Sequence, residues 1–188
     1  MDGLIIDLRG IYLGRARQPY GLTAVHQLQH ALQCAWAAER AGATPESITA
    51  SLLHDVGHLV HDLGEHPAAQ GLDDRHQERG ADWLAWHFDA SVTEPVRLHV
   101  RAKRYLCARR PGYVARLSPD SIESLVLQGG PMSAAECADF ECERHFAAAI
   151  RLREWDDAAK DPRAVTPDWS HFERYILLAL ASATAIDP

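Results

Sequence analysis

Apolar residues recur at helical spacing along almost the whole chain, and no segment alternates with the period of two that a half-buried strand requires. The pattern predicts helices joined by loops. From Thr23 to Ala41 the apolar positions Val25, Leu28, Leu32, Ala35 and Ala38 share one face, with Gly42 as a stop. Thr44 caps a second helix, Pro45 occupies its first turn, and Ile48, Leu52, Val56 and Leu59 form its buried face. His61 to Arg75 is polar, holds Gly64, Pro67 and Gly71, and reads as a loop. Helices are expected over Arg79–Phe88, with Trp83 and Trp86 as core residues, and over Val92–Cys107, ended by Pro111-Gly112. Another spans Leu117–Val126, interrupted at Gly129-Gly130-Pro131. Ser133 and Glu136 make a capping box for one long helix through Ile150 to about Ala159, and a last helix buries Phe172, Tyr175, Ile176 and Leu180. The expected fold is all-α, a bundle of about six or seven helices in a single domain over 1–188.

Composition narrows the class. A net charge of -7 opposes binding to a phosphate backbone, so no nucleic-acid partner is expected. Asp7 and Arg9 break the short apolar run at the N-terminus, so it does not read as a signal peptide, and no stretch is long and apolar enough to predict a membrane helix. The four cysteines, Cys34, Cys107, Cys137 and Cys142, form no CxxC pair; they read as small hydrophobes in a reducing cytoplasm.

Eleven histidines are the conspicuous enrichment. His54 and Asp55 are adjacent inside an apolar segment, with His58 one turn beyond His54. Burying two such polar groups is costly without a purpose, and metal binding is the purpose that fits. His30, His76 and His99 lie on other expected helices, and Asp156 comes late in the chain. Four histidines and two carboxylates are enough for two ions bridged by a carboxylate, and Fe, Mn and Zn all accept such donors. A lone buried histidine is more often hydrogen-bonded core, and His26, His61, His66, His87, His145 and His171 are read as surface or structural.

Between Pro95 and Pro119 there is no acidic residue, whereas Arg97, Arg101, Lys103, Arg104, Arg109, Arg110 and Arg116 are all basic. As a set these fit either a solvated face or an anion-binding patch. Lys103, four residues after His99, shares its helix face and reads as a binder of an anionic ligand beside a metal.

The order His30, His54-Asp55, late Asp156 resembles the HD-domain superfamily. His76 and His99 narrow the resemblance to its mixed-valent di-iron oxygenases, nearest in pattern to the glycine-forming 2-amino-1-hydroxyethylphosphonate dioxygenases. The motifs that carry it are QLQHALQCA (27–35), LLHDVGH (52–58), HVRAKRYL (99–106), LQGGPM (127–132) and WDD (155–157). The resemblance implies two Fe ions, Fe(II)/Fe(III), with O2 as co-substrate. One iron would take His30, His54, Asp55 and Asp156, the other His76, His99 and the shared Asp55; Asp156 is preferred to Asp157 because it follows Trp155. Contacts to a small anionic phosphonate would come from His58, Lys103, Ser121 and Arg153, with Asp55, His58 and Lys103 in catalytic positions. Tyr20 matches a tyrosine that can occupy the open iron position. Three residues later the family's glutamate, which reads the substrate amine, is replaced by Thr23, which implies a substrate without the amine. The implied reaction cleaves the carbon–phosphorus bond of a 1-hydroxyphosphonate, giving a carboxylic acid and phosphate. The same donors would suit a two-metal phosphohydrolase acting on a nucleotide or small phosphate ester, and a metal-dependent binding module is the non-enzymatic alternative. Whether the 62–75 loop is a lid, and whether the protein is a monomer or homodimer, stay open.

Overall fold

The computed structural model describes residues 2–14, 25–60 and 71–184. Among them the chain forms nine α-helices and no sheet: α1 (Asp2–Arg9), α2 (Gln27–Arg40), α3 (Pro45–Leu53), α4 (His76–Leu84), α5 (Ala90–Arg109), α6 (Pro119–Leu127), α7 (Ala134–Glu141), α8 (Phe146–Ala158) and α9 (Trp169–Thr184). The all-α expectation holds, with more helices than the six or seven read from the pattern. No described helix is long and apolar enough to cross a membrane.

Local chemistry explains most boundaries. Thr44 Oγ1 accepts from Ser47 N with Pro45 in the first turn of α3, and Ser133 and Glu136 form the reciprocal capping box of α7. Helix α3 and helix α5 lie at the centre: α3 packs on α2, α5, α8 and α9, and α5 on α3, α4 and α8. Leu28, Leu52, Leu53, Val56, Leu84, Val96, Leu152, Phe172 and Ile176 meet in the main core. Along α9, Phe172, Ile176 and Leu180 are buried as the spacing predicts.

Two breaks differ from the expected helices. Helix α3 does not run on to Leu59; it stops at Leu53, and Val56–His58 is a 3-10 turn. His54 therefore caps the helix, and His58 is not one helical turn along its face. The cause is close packing: a Cβ on Gly57 would lie 2.0 Å from the carbonyl oxygen of His76, so the chain bends where only glycine can meet the start of α4. The second break divides the expected long helix into α7 and α8 at 142–145. Phe140 and Phe146, six residues apart, would point to different faces of one helix; the break lets both rings pack on Tyr105 of α5, at 5.6 and 5.1 Å. Trp86, expected in the core, is 86% exposed, whereas Trp83 packs partly against it.

Candidate metal and anion site

Six side chains from five segments converge where α2, the end of α3, α4, α5 and α8 meet. His30, His54 and Asp156 form one group; Asp55, His76 and His99 form a second, and all six are buried. Asp55 stands between them. Its Oδ2 is 3.6 Å from His30 Nε2, while its Oδ1 is 3.5 Å from His54 Nε2, 3.7 Å from His76 Nε2 and 3.8 Å from His99 Nε2. Asp156 Oδ1 is 3.3 Å from His30 Nε2.

The far side of each ring tells what the near side is for. His30 Nδ1 faces the carbonyl of Ala159 at 2.8 Å, His54 Nδ1 that of Ser51 at 2.9 Å, and His99 Nδ1 that of Val96 at 2.7 Å; His76 Nδ1 faces Asp74 Oδ1 at 3.0 Å. Oxygen acceptors hold the hydrogen on Nδ1 and leave a lone pair on Nε2, which is how metal-binding imidazoles are oriented. Yet His30 and His54 bring their Nε2 atoms to 3.2 Å, and so do His76 and His99. Two lone pairs at that separation repel unless a proton or a metal cation lies between them. Burial pushes His54, His76 and His99 toward the neutral form. Burial acts the same way on His30, but the Asp156 carboxylate outweighs it and favours a cation there. Asp55, despite its burial, is held well below the usual carboxylate range by His54 and its neighbouring imidazoles; Asp156 is held there by Arg153 and Lys160. Two anionic carboxylates among imidazole lone pairs fit a pair of cations.

Beside this cluster lies a group of cations. Lys103, one turn beyond His99 on α5, is 2% exposed and donates to Ser124 Oγ at 2.8 Å. Burial and the neighbouring Arg153 push it down to about 7. Arg153 of α8 reaches Asp156 Oδ2 at 2.7 Å and Ser121 Oγ at 3.3 Å, and also pairs with Asp157. Its guanidinium stays charged beside those carboxylates. Lys103, Ser121 and Arg153 are thus neighbours in the structure. His58 stands against the second group: its ring stacks on His76 at 3.9 Å, and its Nδ1 meets Asp74 Oδ2 at 2.5 Å. Tyr20 and Thr23 lie outside the described residues, as does most of the 62–75 loop.

The rest of the basic stretch is not an anion patch. Arg97 pairs with Asp82, Arg101 with Glu143, Arg104 with Glu136, Arg109 with Glu141 and Arg110 with Glu154, while Arg116 lies over the Tyr113 ring. Only Lys103 turns inward. The sequence reading also missed two residues. Asp74, two positions before His76, holds both His58 and His76; between them Arg75 has a positive φ of 50°, a strained turn that aims its neighbours. Lys160, four positions after Asp156, reaches Asp156 Oδ1 at 3.5 Å. Their spacings to the two proposed ligands were the available signals.

Fold and site together define an all-α protein whose two His/carboxylate groups share one aspartate beside buried cations. No family model matches the chain. It is similar to the glycine-betaine-forming (1-hydroxy-2-(trimethylamino)ethyl)phosphonate dioxygenase of Leisingera caerulea, 43% identical over 171 residues, which covers 90% of this chain and 87% of that protein. It is also similar to the hydroxymethylphosphonate dioxygenase of Gimesia maris, 46% identical over 152 residues, 79% of this chain and 75% of that protein. The chain belongs to the HD-domain hydroxyphosphonate dioxygenase family.

Proposed function

We propose that the protein uses O2 to cleave the carbon–phosphorus bond of a 1-hydroxyphosphonate. The products are a carboxylic acid and phosphate, one O2 being consumed per bond broken. The observation that carries this reading is the convergence of six metal-type donors on Asp55 immediately beside buried, anion-seeking cations. His30, His54, Asp55 and Asp156 would hold one iron, and His76, His99 and Asp55 the other. When bound as Fe(II)/Fe(III), the irons supply activation of O2 and oxidation of the hydroxyl-bearing carbon. The chain supplies position and fixed charge. Lys103 and Arg153 neutralise the phosphonate, Ser121 donates to it, and Asp74 holds His58 where its second ring nitrogen can meet the substrate. Because the donors are buried, bulk water is kept from the reacting carbon.

The substrate side chain follows from Thr23. A threonine cannot pair with an ammonium as a glutamate does. The two relatives are named for substrates that carry a hydroxymethyl or a trimethylamino group, neither of which offers an N–H donor, and this supports a substrate without a primary amine. The relatives' names do not favour the two-metal phosphohydrolase. Free cysteines are in keeping with a cytoplasmic enzyme. The test is to measure phosphate release and O2 uptake together across a panel of 1-hydroxyphosphonates. Equal stoichiometry is expected, and phosphate release under anaerobic conditions would overturn the reading. Thr23→Glu should add activity on the aminated substrate; no gain would remove the argument from Thr23.

A further inference from the structure

We infer that Lys160 is a third cation of the anion site and sets it to accept a doubly charged head group in preference to a singly charged one. The inference rests on the proposed function for the location of the head group and for the metal that would engage Asp156. Lys160 follows α8, and its Nζ is 3.1 Å from Ser121 Oγ and 3.4 Å from Ser118 Oγ, as well as 3.5 Å from Asp156 Oδ1. Arg153 Nη2 donates to the same Ser121 oxygen at 3.3 Å. Ser121 Oγ thus gathers both cations, with the Ser118 hydroxyl 3.2 Å away beside it. Ser118 is the N-cap of α6 and Ser121 lies in its first turn, so the positive end of that nine-residue helix faces the same place.

The charges do not cancel. Lys103, Arg153 and Lys160 are three cations. Of the two carboxylates near them, Asp157 pairs with Arg153; Asp156 also reaches Arg153 at 2.7 Å and Lys160 at 3.5 Å, but its Oδ1 is 3.3 Å from His30 Nε2 and on the proposed function it would be committed to a metal. Counted that way two positive charges are left over, and among the described residues Lys103 has no carboxylate within ion-pairing distance: its hydrogen bond goes to a neutral serine. Burial and the neighbouring Arg153 lower its affinity for a proton, and a bound anion would restore it, so that Lys103 is charged when the site is filled. A dianion matches the excess of two; a monoanion leaves one charge buried and unmatched. A phosphonate or phosphate dianion is therefore favoured over a sulfonate of the same shape.

The test uses binding, not turnover. Methylphosphonate and methanesulfonate are titrated calorimetrically into the metal-loaded protein above the second ionisation of the phosphonate, with parent, Lys160→Met and Lys160→Arg. The parent is expected to prefer methylphosphonate, Lys160→Met to lose roughly tenfold or more of that affinity while methanesulfonate changes little, and Lys160→Arg to keep the preference. Metal content and circular dichroism of each variant check that Asp156 and the fold are undisturbed. An undiminished phosphonate preference in a folded, metal-replete Lys160→Met protein overturns the inference, as does an equal loss for both anions. Should O2-dependent cleavage fail in the parent, the dioxygenase reading falls while the charge comparison still decides the role of Lys160.

Discussion

Gly57→Ala is the smallest change that should disable this protein. The added methyl would lie 2.0 Å from the carbonyl oxygen of His76, 2.7 Å from its carbon and 2.9 Å from its Cα, all backbone atoms at the start of α4. No side-chain rotation relieves such a contact, so the 3-10 turn and α4 must move apart. Overpacking typically costs about 1–3 kcal/mol, and a clash with backbone belongs at the upper end, ~3 kcal/mol. For a chain of this size that corresponds to a melting temperature lowered by roughly 6–12 °C. The displacement also acts on the site, because Gly57 follows Asp55 by two residues and faces the residue that brings its Nε2 within 3.7 Å of Asp55. Thermal unfolding followed by circular dichroism, with metal per chain measured on the same samples, should show both losses. Gly3→Ala is the control: nothing lies within 4 Å of its added methyl, so its melting temperature should hold or rise slightly. A Gly57→Ala protein that melts within about 2 °C of the parent and keeps all its metal would refute the packing argument, since that shift is well under the predicted loss.

Other consequences are open to measurement. Asp55→Asn should release both metals on dialysis, because Asp55 faces both groups, whereas His99→Ala should release one; equal losses would contradict the shared role. Asp74→Asn should weaken metal binding at the His76/His99 group by ~10–100-fold and leave the other group unaffected, as followed by competition with a chelator. Lys103→Met should abolish anion binding yet stabilise the fold. The folded-state value of about 7 lies below the unfolded 10.5, so the penalty of burying this charge is full below pH 7 and fades as pH rises toward 10.5. Denaturant unfolding at pH 6 should find the variant more stable by about 2–4 kcal/mol, with the gap closing at alkaline pH. No gap at pH 6 would mean that Lys103 is not buried as a cation.

How far the sequence could be read depended on whether the decisive partner was near in the chain. Thr44, Pro45, Ser133 and Glu136 act on their own helix, so their caps were legible. The end of α3 was not, because Ile48, Leu52, Val56 and Leu59 keep helical spacing while the contact that bends the chain comes from His76. Arg101 and Arg104 looked unopposed for the same reason: Glu143 and Glu136, which pair with them, lie more than 30 positions later. The metal-type donors could be picked out because burying His54-Asp55 demands a reason and the family pattern supplies the others. Asp74 and Lys160 escaped because an isolated acid or lysine is ordinary until the fold shows what it touches.

Helix α5 carries His99 and Lys103 four residues apart, both buried, within a single uninterrupted helix. Four residues of α-helix rise about 6 Å, and that spacing cannot be stretched without breaking backbone hydrogen bonds. On the proposed function, His99 at one end of this rod would help hold an iron and Lys103 at the other would meet the phosphonate. A 2-hydroxyphosphonate inserts one more carbon and carries its head group roughly 1 Å too far, a misplacement that can cost on the order of a hundredfold in rate. Discrimination between the two substrate types would then reside in the pitch of the backbone, and mutations that merely trim neighbouring side chains would leave it intact.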